Sequence, residues 1–333
     1  MEEATRKHPK IGIFGHYGNQ NLGDEAIIEA TIQNLRRLIP NVELVGLSIN
    51  PEDTQTRYNI DAFPIRYNAS FFKRKNTEAA INNDNKGRKP PSDSNQPNAL
   101  AKKSPLPVRI VRGVASRLYH GTKNLVTEIS FLRACKKQAS ELDLLIVCGS
   151  NQFLDNFGGP WGFPYTLLKW TLLAKSVNTK VAFVSVGAGP IYKKLSFKLL
   201  AQALRRADYL SYRDIGSKKL IEENITGVSG KVYPDVAHSL LTPSTPPNDR
   251  ESKIIAINPM PVFDPRYWYT SDTNKLDHYI NAMAKFTISL IDQGYHVVLF
   301  NTQKRDLYFF EDIRNKIQKI DLSYLESERF SIS

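Results

Sequence analysis

The chain has little sulfur, no long apolar run and few acids through one long basic segment, and each shortage excludes something. Two cysteines among 333 residues, Cys135 and Cys148, give no disulfide framework and no metal-ligand spacing. No stretch approaches the roughly 18 apolar residues of a membrane helix, and MEEATRKHPK has neither the basic start nor the apolar run of a secretion signal. A soluble, cytoplasmic protein without a metal is the expectation. Two phosphate-binding motifs are missing as well. Glycines 12, 15 and 18 are spaced by threes, so the opening is not G-x-G-x-x-G, and no Lys-Ser/Thr pair follows, so it is not a Walker loop. The second strand ends in Ser48 and Asn50 without an acid to hold a ribose, which disfavours a nicotinamide cofactor. Aromatic residues do not interleave with the basic ones as stacking platforms would, so no nucleic-acid partner is expected.

What is present is an ordinary globular composition, 41% apolar and 23% charged, long enough for two domains. The net charge of +12 is confined to one place: sixteen Lys and Arg face four acids between Arg66 and Lys137, and the rest of the chain balances. Within this span residues 73–107, rich in Asn, Pro and Lys, read as an insert that cannot bury itself; a basic segment of this kind could meet anionic lipid headgroups or an anionic substrate, and peripheral membrane contact is the role suggested for the insert.

Periodicity gives the fold class. Residues 10–15 read as a buried strand, Ala26 to Leu38 as a helix and Val42 to Leu47 as a second strand, a β-α-β unit that calls for a parallel sheet. Helical spacing returns from Val108 to Ala139. Strands then alternate with helices: Asp143–Cys148, Tyr165–Lys175, Lys180–Val186, Ser196–Ala207, Tyr209–Tyr212, Ser217–Glu223 and Val228–Tyr233. The proline-rich stretch Leu241–Ser252 reads as a linker. Beyond it come a strand (Lys253–Asn258), a helix (Tyr279–Gln293) and a strand (His296–Phe300). The expectation is therefore an α/β protein of two doubly wound units, 1–245 and 246–333, the second cut short.

Chemistry concentrates in the loops after strands, where doubly wound sheets bind ligands. Asp24 and Glu25 lie in the first helical turn, where acids suit the helix dipole and oppose a docked phosphate. Asp24 is the candidate hydrogen-bond acceptor or general base for a hydroxyl, against the plainer reading that it or Asn21 caps the helix. His16 is the candidate acid or base near neutral pH. Arg213, after a strand end, is the candidate cation for an anionic substrate, against a structural ion pair with Asp214. His8, His278 and His296 read as surface or packing, and His238 takes no role.

Five segments in order resemble the polysaccharide pyruvyl transferase family: GHYGNQNLGDEAII (15–28), CGSNQFLD (148–155), SVGAGPI (185–191), RDIGS (213–217) and PDVAHSL (234–240). The resemblance implies a GT-B-like fold of two facing Rossmann-like domains and transfer of a pyruvyl group from phosphoenolpyruvate to a saccharide, lipid- or nucleotide-linked, without cofactor. Mapped onto the matching positions, it implies substrate contacts from Gly15, Asn19, Asn21, Gly23, Gly149, Asn151, Asp155, Gly187, Gly189, Asp214, Ser217 and Asp235. Two departures stand out. The family's triple glycine is here Gly149, Ser150 and Asn151, and its late Ser-Arg-x-His segment is not found; Ser116 to His120 are spaced differently and read as a surface helix. The alternatives are a nucleotide-sugar glycosyltransferase of the same fold, and a saccharide-binding relative without catalysis.

Overall fold

The computed structural model describes residues 8–68, 70–72, 127–241, 253–266, 268, 271–303 and 306–332. The insert at 73–107, the Ser116–His120 helix, most of the helical spacing from Val108 and nearly all of the proposed linker lie outside the described residues; residues 127–140 are helical.

Seven parallel strands form the larger sheet: β1 (Lys10–Phe14), β2 (Glu43–Ser48), β3 (Asp61–Pro64), β4 (Leu144–Cys148), β5 (Lys180–Val186), β6 (Tyr209–Tyr212) and β7 (Lys231–Val232). Their order, β3-β2-β1-β4-β5-β6-β7, carries the doubly wound reversal between β1 and β4. The central strands read as continuous apolar runs because both faces are covered. On one face pack α1 (Leu22–Leu38) and a short turn of helix at Val236–Ser239, over Ile11, Ile13, Ile146 and Cys148. The other face holds the larger core, where α3 (Phe163–Lys175) and α4 (Lys194–Leu204) cover Phe14, Val147 and Phe183. Trp170 of α3 is 1% exposed, meets Phe14 and Phe63 edge to face, and donates its indole N–H to the Ile65 carbonyl at 3.0 Å. The edge after β6 is completed by α5 (Ile215–Asn224).

The second sheet is also parallel, β8 (Ile254–Ile257), β9 (His296–Leu299) and β10 (Phe330–Ile332), in the order β10-β9-β8. It carries α6 (Thr273–Asp292), α7 (Leu307–Ile320) and the short α8 (Ser323–Glu326), with Phe309, Ile313 and Ile317 of α7 buried against Val297 and Leu299. It is one β-α-β-α-β half, the same 3-2-1 order that opens the larger sheet.

Several boundaries differ from expectation. Helix α1 begins at Leu22 rather than Ala26, because the Asn21 side chain accepts from Gly23 N at 3.1 Å and caps it. Helix α2 (Pro51–Tyr58) and β3 have no periodic signal; α2 is made by its ends, an Asn50 cap, Pro51 in the first turn and Asn59 at φ 48°. In the second unit α6 starts six residues earlier than expected, α7 extends the fold, and β10 adds a third strand by borrowing pairing from β9. Strand β7 is only Lys231–Val232.

Candidate active site

Parallel pairing brings the loops after β1, β4, β5, β6 and β7 to one edge of the larger sheet, and the loop after β9 meets them. Leu22 N donates to the Thr302 carbonyl at 2.9 Å and Asn21 forms an antiparallel bridge with Gln303. Between the two sheets lies a cleft of about 920 Å³.

The first loop is held rigidly. Gly15 has no room for a side chain, since a Cβ would sit 2.8 Å from the Tyr17 ring, and Tyr17 is fully buried with its hydroxyl on the Ile13 carbonyl. Burial pushes the Tyr17 hydroxyl well above its usual pKa. Gly18, at φ 83°, donates its N–H to Glu25 Oε1 at 2.9 Å, and Tyr58 donates to Glu25 Oε2 at 2.5 Å. This clamp turns His16, Asn19 and Asn21 into the cleft.

Asp24, 8% exposed, accepts from Ser150 Oγ at 2.5 Å and from Asn21 Nδ2 at 2.8 Å, and His16 Nδ1 stands 3.5 Å from its Oδ2. Asn19 Nδ2 lies 3.3 Å from His16 Nε2, and the His16 ring is braced edge-on by Phe163 at 4.9 Å. With the Asn19 amide donating, Nε2 is the acceptor and Nδ1 carries the hydrogen that faces Asp24. The arrangement suits a histidine that exchanges a proton through Nε2 while a carboxylate orients it. Of the two expected caps, Asn21 takes that role and Asp24 does not.

The opposite part of the same wall is built around Arg213. Its Nε lies 3.4 Å from Asp214 Oδ2 and its Nη1 3.6 Å from Asp235 Oδ2, while the guanidinium stays a third exposed and lines the cleft. The expected ion pair with Asp214 is therefore present alongside the cleft position. Burial opposes ionisation of Asp214, but the N–H and hydroxyl of Ser217 and the Arg213 charge outweigh it and hold its carboxyl below the usual range. Gly187 makes the space: a Cβ there would sit 2.6 Å from Arg213 Nε and 2.7 Å from Asn151 Oδ1. Asn151 donates to the Gly189 carbonyl at 2.6 Å, and its own carbonyl oxygen is buried without a hydrogen-bond partner.

Of the residues expected to touch substrate, His16, Asn19, Asn21, Gly23, Asp24, Asn151, Arg213 and Asp235 line the cleft. Gly15, Gly149, Asp155, Gly187, Gly189, Asp214 and Ser217 stand behind it as the framework. Asp155, 4% exposed, accepts from Tyr192 N, Lys193 N and Ser196 Oγ; Ser217 Oγ accepts from Ala188 N at 2.9 Å; Asp214 caps α5. A Cβ on Gly149 would sit 2.3 Å from Ile27 of α1. The apolar wall was not foreseen: Leu154, Phe157, Phe163, Met260 and Trp268, the last anchored by its indole N–H on the Pro261 carbonyl at 2.8 Å. Among the described residues no group of three or more His, Cys, Asp and Glu is placed to hold a metal ion, and no helix is long and apolar enough to cross a membrane.

A Rossmann-ordered parallel sheet facing a smaller parallel sheet, carboxyl edge to carboxyl edge across a ligand-sized cleft, defines a GT-B-like α/β protein. The sequence profile of the polysaccharide pyruvyl transferases, a transferase family, matches residues 21–332, and the chain belongs to that family. Solved structures to which the chain is similar include Acinetobacter baumannii MurG (11% identity, TM-score 0.38), an S. aureus MnaA–UDP structure (12%, 0.44) and E. coli ADP-heptose LPS heptosyltransferase II (12%, 0.35). These alignments cover 98%, 98% and 97% of this chain but only 65%, 68% and 72% of theirs. No curated protein matches it.

Proposed function

We propose that the chain transfers a pyruvyl group from phosphoenolpyruvate to a saccharide, giving a pyruvate ketal on a glycan or its lipid- or nucleotide-linked precursor, in the cytoplasm where phosphoenolpyruvate is made. The observation that carries this reading, beside family membership, is the convergence of the His16–Asp24 pair and Arg213 on one wall of one cleft.

The reaction needs few parts. One acceptor hydroxyl loses its proton and bonds to C2 while C3 gains a proton, and a second hydroxyl then displaces phosphate from C2. His16 Nε2 takes the hydroxyl proton once the acceptor hydroxyl replaces the exposed Asn19 amide as its partner, with Asp24 orienting the ring and stabilising the imidazolium. Arg213 meets the donor's carboxylate or phosphate, and its two flanking carboxylates keep the guanidinium aimed rather than neutralised by a closer contact. Asn151, which lines the same wall, is a candidate amide partner for the acceptor sugar. The cleft is several times larger than phosphoenolpyruvate, so donor and sugar fit together.

The test is phosphate release from phosphoenolpyruvate with and without candidate acceptor glycans. Release that needs an acceptor and falls at least about a hundredfold in Arg213→Ala and His16→Ala supports the reading. Release untouched by either substitution removes those residues from the site, and stabilisation by a nucleotide sugar but not by phosphoenolpyruvate transfers the cleft to glycosyl chemistry.

A further inference from the structure

One side of the cleft mouth carries a surface that the chemistry above does not use. The turn Gly159–Trp161 projects between Phe157 and Phe163, both of which line the cleft, and packs against α4. Trp161 at its tip is 67% exposed and touches only the edge of Tyr165, at 5.7 Å, among the described rings. Beside it, Tyr192 and Leu195 at the start of α4 are 45% and 42% exposed. Single exposed apolar residues are ordinary, but three on adjoining elements form a patch.

The stretch of chain that carries the patch holds charge of one sign. From Asn156 to Ala207 the chain has no Asp or Glu and eight Lys and Arg. Lys193, Lys194 and Lys198 are exposed, and among the described residues none of the three forms an ion pair. Asp155, the acid that precedes this stretch, is buried and taken up by Tyr192 N, Lys193 N and Ser196 Oγ. Buried Ser196, Leu200, Ala201 and Leu204 turn α4 so that Lys194, Leu195 and Lys198 face outward.

We infer that this rim, Trp161, Tyr192 and Leu195 with Lys193, Lys194 and Lys198, docks the protein on an anionic phospholipid bilayer. Tryptophan and tyrosine settle at the level of the headgroups, and lysines reach anionic phosphates while their stems cover apolar surface. The patch stands out from a turn and lines no part of the cleft, which suits a flat bilayer better than the groove a peptide would need. Docking here turns the cleft mouth toward the membrane. The inference is independent of the pyruvyl-transfer reading, and the residues it uses lie outside the basic segment between Arg66 and Lys137 in the sequence.

The experiment uses the full chain and two vesicle types, phosphatidylcholine alone and phosphatidylcholine with phosphatidylglycerol carrying brominated acyl chains. Of the three tryptophans, Trp170 is 1% exposed and Trp268 lies in the cleft, so bromine quenching reports Trp161. Salt-sensitive binding to the anionic vesicles, with quenching that disappears in Trp161→Ser, is expected. The triple change Lys193→Glu, Lys194→Glu, Lys198→Glu should weaken partitioning by on the order of 100-fold with no shift in melting temperature. A comparator that reverses Lys73, Arg74 and Lys75 should keep the Trp161 quenching. No binding, equal binding to both vesicle types, or binding lost only in the comparator overturns the proposal.

Discussion

Ser150 donates its hydroxyl to Asp24 Oδ1 across 2.5 Å, joining the turn after β4 to the first turn of α1 at the floor of the cleft. Ser150 sits at φ 54°, a conformation that favours glycine, so two effects separate on substitution. Ser150→Ala removes the hydrogen bond and keeps the strain; Ser150→Gly removes both. In urea melts Ser150→Ala should lose about 1–3 kcal/mol and Ser150→Gly measurably less. Turnover should fall several-fold in both, because Asp24 is then held by Asn21 alone and orients His16 less firmly.

Gly187→Ala sets stability against function. The new Cβ would fall 2.6 Å from Arg213 Nε, 2.8 Å from its Cζ and 2.7 Å from Asn151 Oδ1, all side-chain atoms rather than backbone. The fold should therefore survive with a small change in melting temperature, while both groups leave their positions in the cleft. The expected outcome is a rise in KM for phosphoenolpyruvate of about tenfold or more. An unchanged KM alongside a large loss of stability would mean that the backbone, not Arg213, had yielded.

The core prediction concerns Trp170. Its ring fills the space between Phe14 and Phe63, and its N–H satisfies the Ile65 carbonyl. Trp170→Ala should cost about 3–5 kcal/mol by denaturant titration, and Trp170→Phe less, though it still leaves that carbonyl unpaired.

These three positions also show how much of the molecule was legible in sequence. The strands β1, β2, β4 and β5 announced themselves as apolar runs, and parallel pairing then dictated that the loops at 15–24, 149–155 and 213–214 would share one edge. That is why the polar wall of the cleft was foreseeable. The distinction between lining and framework was not, because Asp155, Asp214 and Ser217 face inward to bind backbone N–H groups, and sequence does not give a side chain's direction in an irregular loop. The apolar wall was hidden for a related reason: Met260 and Trp268 come from the aperiodic loop after β8, and nothing local marks them as lining the cleft. Helix α2 escaped because PEDTQTRY has no apolar stripe and is specified by its caps.

Acid should weaken the fold partly through Asp208. Burial alone would raise its pKa, but Lys175 at 2.8 Å, the Val181 N–H and Lys180 at 3.6 Å outweigh it and hold the carboxyl below the usual range. A carboxyl whose folded pKa is depressed contributes stability above its unfolded pKa and loses it as pH falls through the folded value. Stability of the wild type should therefore drop from about pH 5 downward, and Asp208→Asn should flatten that part of the curve while lowering stability at neutral pH. Urea midpoints across pH 3 to 7, about the range over which carboxylates titrate, measure both effects. An unchanged slope in the variant would show that Asp208 is screened by solvent.

Glu25 lines no part of the cleft and yet holds the loop that carries His16. The residue is 5% exposed, and its carboxylate ties the β1–α1 loop and α2 to α1: Gly18 N at 2.9 Å, Tyr58 OH at 2.5 Å and, more loosely, Arg57 Nε at 3.7 Å. Glu25→Ala leaves the Gly18 N–H and the Tyr58 hydroxyl buried without a partner, which should cost about 2–4 kcal/mol in denaturant titration. Glu25→Gln keeps the shape and one acceptor, so it should restore most of the stability. If the loop is clamped as described, Glu25→Gln still loses activity, because the amide has one acceptor oxygen where the carboxylate has two, and Gly18 or Tyr58 is released. The measurement that decides is kcat against KM for phosphoenolpyruvate at a temperature where both variants are folded. A fall in kcat with KM unchanged places the defect at His16, whereas proportional changes in both would mean that the whole cleft had loosened.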